Sequence, residues 1–242
     1  MFHYFMTLGI YSIVLFLALF FISLKEISKN MGAIINIIIW YTLLNFADVF
    51  PWFSFGHMNW TGKLLVMIIV GIVIIYKKLK KENGFVFFVF EKENRKTIII
   101  TITAQVLITL TVLILLLVNG KFDIERFIMN VVLVGISEEL YFRGLLYNKI
   151  SKIQIKNKRP EFIHVLICSF AFGILHMYFF NLTPVQNIIN FLIPFVFGIF
   201  FNIMYNKSKN ILVPILIHNS IDTLYYGILT FTQIYFIKLG GG

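Results

Sequence analysis

Charged residues and cysteine are both scarce in this sequence of 242 residues. Only 13% of the residues are charged and 59% are hydrophobic, which excludes a soluble domain because so apolar a chain cannot hide its surface from water. Cys168 is the single cysteine, so no disulfide can form within the chain. The formal net charge of +10 comes from Lys and Arg in short loops, which argues against a nucleic-acid partner.

Apolar runs fill the sequence instead, and most approach the ~20 residues that cross a hydrocarbon core. They predict an all-α, polytopic membrane protein with about eight transmembrane helices in one bundle around an intramembrane polar cavity. The first run has no Lys or Arg before it, so we expect a retained span rather than a secretory signal. The third is short, and is expected to begin nearer Trp60 or to be re-entrant. The predicted spans are Tyr4 to Leu24, Ile34 to Phe53, Leu64 to Tyr76, Ile98 to Val118, Phe127 to Tyr147, Phe162 to Phe180, Val185 to Tyr205 and Ile211 to Ile234.

The basic residues alternate between loops, which predicts the topology. Odd-numbered loops hold sixteen Lys and Arg, whereas even-numbered loops hold only Lys63, Lys121 and Arg126. Cytoplasmic loops are enriched in these residues, so both termini are expected outside the cytoplasm. Phe85 to Phe90, in the third loop, is expected to lie in the interface. We expect a single membrane domain over residues 1–242, with N-terminal helices in 1–126 and catalytic helices in 127–235.

Ionisable residues within the spans are concentrated in the second half of the chain. Such residues are costly in hydrocarbon, so they indicate a functional site. Residues four apart share a helix face, so Glu139 can pair with Arg143, whereas Glu138 points about 100° away from Glu139. By the same spacing, His218 and Asp222 share one face of the last helix, and Phe172 is expected to stack one turn before His176. At about 1.5 Å per residue, the four central residues fall roughly 10 to 20 Å from the cytoplasmic ends of their spans, so we expect one site that opens toward the cytoplasm. The four residues are Glu138, His176, His218 and Asp222.

A carboxylate with two imidazoles suits hydrolysis, because a general base must take a proton from water while donors stabilise the oxyanion. Glu138 is the expected base, and the charge of Arg143 helps to keep a carboxylate ionised. His176 is expected to position the water or to protonate the leaving amine. His218 and Asp222 are expected on the oxyanion side. The pattern therefore predicts hydrolysis of a peptide bond within the bilayer.

Three short motifs carry these residues, each in a separate late helix: Glu138-Glu139-x-x-x-Arg143, Phe172-x-x-x-His176 and His218-x-x-x-Asp222. Their order and spacing resemble the CPBP family of intramembrane proteases, which includes type II CAAX prenyl endopeptidases and bacterial proteins of bacteriocin immunity or peptide processing. The resemblance implies that Glu138 activates water, that His176 assists, and that His218 and Asp222 form an oxyanion site. Glu139, Arg143 and Phe172 are implied as supporting residues. The family pattern allows Asn or Asp at position 222. Because an ionised Asp only accepts hydrogen bonds, Asp222 would have to be protonated or to act by orienting His218.

Several alternatives stay open at the site itself. No cofactor is expected, yet zinc bound by Glu138, His176 and His218 is an alternative, although the sequence has no H-E-x-x-H motif. Glu139 and Arg143 are equally well explained as a structural ion pair. Cys168 is a weak candidate nucleophile because thiols in apolar helices are usually inert.

Function also has alternatives: a CAAX-type prenyl-protein endopeptidase, a non-catalytic membrane immunity or binding protein, and a proton-coupled transporter. The expected partners are the lipid bilayer and a peptide or lipidated-protein substrate within it. Frequent Ile, Phe, Lys and Asn are typical of an AT-rich bacterial genome, which favours a bacterial cell membrane and a peptide substrate, including bacteriocin or signal-type peptides.

Overall fold

The computed structural model describes residues 2–49, 58–80, 92–118, 122–180 and 182–240. Within these residues it has eight helices and no strand, which confirms the predicted all-α polytopic fold. Five of the described helices, α1 to α4 and α7, are long and apolar enough to cross a membrane. Lys121 and the predicted interfacial segment Phe85 to Phe90 lie outside the described residues. The helices are α1 Phe2–Ile22, α2 Ile27–Val49, α3 Trp60–Leu79, α4 Lys92–Val118, α5 124–150, α6 Pro160–Ile174, α7 Pro184–Ser208 and α8 Leu212–Gly240.

Several helix boundaries differ from the predicted ones, including those of α2, α3 and α6. Helix α3 begins at Trp60 and its 20 residues span about 30 Å, enough to cross the bilayer core. Helix α2 begins at Ile27 rather than Ile34, because its polar first turns bond to neighbouring loops. Helix α6 ends at Ile174 rather than Phe180. There the chain tightens into a turn in which the His176 N–H donates to the Gly173 carbonyl at 3.1 Å.

Helix α5 is the central helix and is not a regular α-helix throughout. Its segments Met129–Leu133 and Leu140–Tyr147 are π-helical. All eight residues of the second segment are buried. Asn148 supports its wider turn by donating from Nδ2 to the carbonyls of Arg143 at 2.9 Å and Gly144 at 3.1 Å. Such π-turns are frequent at functional sites, and this one directly follows Glu138 and Glu139.

A close approach between α5 and α8 fixes their register. A Cβ on Gly135 would lie 2.3 Å from Oδ1 of Asn219, so no larger residue fits without a shift. The Gly135 N–H donates to that same oxygen at 2.9 Å. Because Asn219 follows His218, this contact holds His218 opposite the glutamates of α5.

The first and fifth loops are joined at one end of the bundle. Glu26 pairs with Lys29 at 2.8 Å and with Lys156 at 3.1 Å. Asn30 exchanges two hydrogen bonds with the backbone of Gln154. The first and fifth loops therefore form one basic end, as the alternating charge pattern predicts.

Candidate active site

The predicted pair of Glu139 and Arg143 is present and fully buried. Nη1 of Arg143 donates to Oε1 of Glu139 at 2.9 Å, and both side chains are 0% exposed. Nη2 donates to the Gly198 carbonyl at 3.0 Å. The guanidinium also lies 5.0 Å from the ring centroid of Phe172 and 5.2 Å from that of Phe201. Arg143 thus ties α5 to α6 and α7.

His218 is held by a stacked aromatic ring and by carboxylates near its two ring nitrogens. Its Nδ1 lies 2.8 Å from Oε1 of Glu139, and its ring stacks on Phe201 with centroids 4.8 Å apart. Its Nε2 lies 3.8 Å from Oε2 of Glu138 and 3.5 Å from Oδ2 of Asp222. Glu139 therefore orients His218, a contact that residue spacing within single helices did not predict.

His176 stands just past the C-terminal end of α6. Its Nδ1 lies 2.9 Å from the Phe172 carbonyl, and its ring meets the Phe172 ring edge-on at 4.9 Å. A carbonyl only accepts hydrogen bonds, so Nδ1 carries the hydrogen and Nε2 is left as a hydrogen-bond acceptor. The following turn is anchored by Tyr11, whose hydroxyl donates to the Met177 carbonyl. The predicted stacking of Phe172 with His176 is thus present.

Glu138 contacts a residue that the motifs did not include. Nζ of Lys63, in the first turns of α3, lies 2.6 Å from Oε1 of Glu138. Only 12% of the Lys63 side chain and 14% of the Glu138 side chain are exposed. In the sequence, Lys63 contributes only to the charge pattern that predicts the topology. Its one distinguishing feature was that it is among the few basic residues of the even-numbered loops, where Lys is disfavoured.

An apolar cleft of about 400 Å³ lies between α6, α7 and α8. Its lining residues include His176, His218 and Asp222, together with apolar and aromatic side chains: Phe172, Ile193, Pro194, Phe197, Phe201 and Ile221.

The cleft runs from Phe201 and His218 toward Asn190 and Tyr225. It thus leads away from the short turn after Ser208 that joins α7 to α8 at the basic end. This placement does not support the predicted opening toward the cytoplasm.

The weaker candidates lie away from this cleft. Cys168 is fully buried, and its thiol donates to the Phe142 carbonyl at 3.5 Å. His164 bonds through Nε2 to the Ile153 carbonyl at 3.0 Å, as expected of a structural histidine. Among the described residues, no group of three or more His, Cys, Asp and Glu side chains is arranged to hold a metal ion. Zinc stays an alternative that a chelator experiment tests.

The comparisons with known proteins agree with the motifs. Residues 108–224 match the model of a family described as type II CAAX prenyl endopeptidase Rce1-like. No curated protein and no solved structure matched the chain. The matched range contains all three motifs but not Lys63. Over residues 108–224 the chain is similar to the Rce1-like family of type II CAAX prenyl endopeptidases, which supports its identification as an intramembrane protease.

Proposed function

We propose that the protein cleaves a peptide bond of a membrane-inserted peptide with a water molecule activated by Glu138. The observation that carries this proposal is that His218, which lines the inner end of the apolar cleft, also lies beside Glu138, a residue that does not itself line the cleft. Nε2 of His218 lies within 3.8 Å of carboxylate oxygens of both Glu138 and Asp222. His176 lines the same cleft. A base, donors and an apolar binding surface are the parts that peptide hydrolysis in lipid needs.

The reaction needs one base that later acts as an acid. Glu138 takes a proton from water while the water oxygen bonds to the carbonyl carbon, which turns the carbonyl oxygen into an oxyanion. The carbon–nitrogen bond then breaks as the proton held by Glu138 passes to the leaving nitrogen. The products are a carboxylic acid and an amine. Nε2 of His176, whose Nδ1 is already bonded, is suited to hold the attacking water.

His218 is the proposed donor to the oxyanion. Its Nδ1 is engaged by Glu139, so only the imidazolium form donates from Nε2 as well. Three carboxylates, those of Glu138, Glu139 and Asp222, surround the ring and compensate this charge. Asp222 supports the imidazolium in this scheme and does not itself donate while ionised.

The cleft favours an extended apolar peptide as the substrate. Its walls are mostly aliphatic and aromatic. Pro194, inside α7, has no N–H to donate to the carbonyl of Asn190 one turn earlier, and both residues line the cleft. That carbonyl lacks its usual helical donor, and we infer that it accepts from an N–H of a substrate that has left its helical conformation. Bacteriocin and signal-type peptides fit this description, and a prenylated C-terminal peptide is the competing substrate.

Purified protein in liposomes tests the proposal against both substrate classes. We expect cleavage of an apolar transmembrane peptide by the wild type, complete loss in Glu138→Gln, and unchanged cleavage in Glu161→Gln, a matched change in the first turn of α6. Equal thermal unfolding of the three proteins would show that folding is intact. Cleavage that survives Glu138→Gln rejects the proposed base, and preference for a farnesylated peptide favours the CAAX-type activity. An immunity phenotype that persists without cleavage favours the binding protein.

A further inference from the structure

A second, much smaller cavity, separate from the cleft, is lined in part by Glu138. It is bounded by α2, α3 and α5, and its volume is about 10 Å³. That is close to the minimum that one water molecule requires. Its lining residues with polar side-chain groups are Asn45, Lys63, Ser137, Glu138 and Tyr141.

Asn45 is the unusual member of this group. Its side chain is 1% exposed, and among the residues that the structure describes neither Oδ1 nor Nδ2 of Asn45 has a hydrogen-bond partner. Buried amides are almost always bonded, because an unpaired donor or acceptor keeps the full cost of its desolvation. An Asn in an apolar helix, turned toward a cavity of this size, is therefore best explained by a small polar ligand.

Lys63 supplies the charge in the same cavity. Its ammonium group lies 2.6 Å from Oε1 of Glu138, while Oε2 faces His218. The contact fixes the rotation of the carboxylate between the small cavity and the cleft. Lys63 and the amide of Asn45 offer donors, whereas Glu138 and Oδ1 of Asn45 offer acceptors. A ligand that both donates and accepts hydrogen bonds and fits a cavity of about 10 Å³ is water.

We propose that Asn45 and Lys63 are positioning residues that hold a water molecule against Glu138 and orient its carboxylate. The inference rests on the proposed function, and it adds a source of water for the hydrolysis at Glu138. Each peptide bond cleaved consumes one water, while the bound peptide fills the apolar cleft. A water held behind Glu138 can replace the spent one without crossing the substrate. Both residues precede the range that matches the family.

Two substitutions test this role in the full-length protein reconstituted in liposomes. We expect Asn45→Leu and Lys63→Met to lower kcat by about 100-fold, the cost of misplacing a reacting group, while KM stays within about twofold. Lys63→Arg should restore part of kcat because it keeps the charge. The matched control is Asn30→Leu in the same helix. Asn30 is bonded to the Gln154 backbone, so this change should lower the unfolding temperature and leave kcat intact.

Thermal unfolding separates a catalytic role from a purely structural one. If Asn45 only fills space, Asn45→Leu removes an unpaired amide, so the unfolding temperature rises and kcat is unchanged, which overturns the inference. The Glu138→Gln variant shows whether the water site alone is wrong or the proposed function is wrong as well. An inactive Glu138→Gln beside fully active Asn45→Leu and Lys63→Met rejects the water site alone, whereas an active Glu138→Gln rejects the base. Infrared difference spectra add a readout without turnover: the Glu138 carboxylate band should shift in Asn45→Leu.

Discussion

Glu139 is the residue on which the geometry of the site most depends. One oxygen, Oε1, accepts from Arg143 at 2.9 Å and bonds Nδ1 of His218 at 2.8 Å. The pair that helix spacing predicted is therefore also the support of the proposed oxyanion donor. Glu139 can therefore be part of a structural ion pair with Arg143 and also support the chemistry indirectly by orienting His218.

Glu139→Gln should therefore damage stability and activity together. The amide leaves Arg143 buried without a counter-charge, which costs about 3–5 kcal/mol, and it weakens the orientation of His218. We expect a lower unfolding temperature and at least a tenfold lower kcat at temperatures where the protein stays folded. Chemical unfolding and single-turnover cleavage measure the two effects. Wild-type kcat in a destabilised protein would show that the pair is structural only.

Asp222→Asn should be tolerated, in contrast to changes at Glu138. Asp222 lies 3.5 Å from Nε2 of His218 at the edge of the cleft, and an amide can donate where an ionised carboxylate cannot. We expect kcat within about threefold of the wild type for Asp222→Asn and a larger loss for Asp222→Leu, both read from initial rates of peptide cleavage. Complete loss in Asp222→Asn would mean that the negative charge beside His218 is required.

Side chains that share a helix were predictable from the sequence, whereas contacts between helices were not. The spacing of Glu139 with Arg143, of Phe172 with His176 and of His218 with Asp222 gave three correct pairs. The contact of His218 with Glu139 depends on how α5 packs on α8, which no single helix encodes. The positions of Lys63 and Asn45 beside Glu138 were not predicted for the same reason, because each is an isolated polar residue in an apolar helix.

At the scale of helices, the spans were predictable and their ends were not. Length and hydropathy located all eight helices, because the bilayer imposes a minimum apolar length. The early end of α6 depends on local hydrogen bonds, including that from the Tyr178 N–H to Asn187 at 2.7 Å, which hydropathy does not report. The π-helical turns of α5 were not predicted from hydropathy either, because they depend on support from Asn148.

The register of α5 against α8 is set by a single glycine, and Gly135→Ala should disturb it. The added Cβ would meet Oδ1 of Asn219 at 2.3 Å, so we expect about 1–3 kcal/mol of destabilisation and a lower kcat. Asn219→Ala removes the clashing atom, so the double variant should recover part of the loss. A double-mutant cycle of unfolding free energies measures the coupling. Additive effects would contradict direct contact.

The wall of the cleft on α7 is expected to control substrate entry. Ile193 lines the cleft and is 54% exposed, whereas Ile188 is 55% exposed but lies outside it. Ile193→Trp should raise KM for a transmembrane peptide by about tenfold because the indole fills part of the entry. Ile188→Trp, the matched control, should leave KM unchanged. Equal effects of the two changes on KM would show that the substrate does not enter along this wall of the cleft.

For the whole molecule, orientation decides which side of the membrane the cleft serves. The basic end holds the turn between α7 and α8, and the cleft leads away from it. If the basic end is cytoplasmic, peptides reach the site from the bilayer and its outer half. The opposite orientation gives access from the cytoplasm, where a CAAX-type substrate is attached to the membrane.

Cysteine labelling of intact cells should distinguish these orientations, and the chain suits the method because Cys168 is fully buried. Single substitutions Lys158→Cys and Arg126→Cys place exposed thiols at the basic end and at the opposite end, respectively. With a membrane-impermeant maleimide, we expect Arg126→Cys to react in intact cells and Lys158→Cys only after permeabilisation, because basic loops are retained in the cytoplasm. The wild type should stay unlabelled. The reverse pattern would invert the topology and turn the mouth of the cleft toward the cytoplasm.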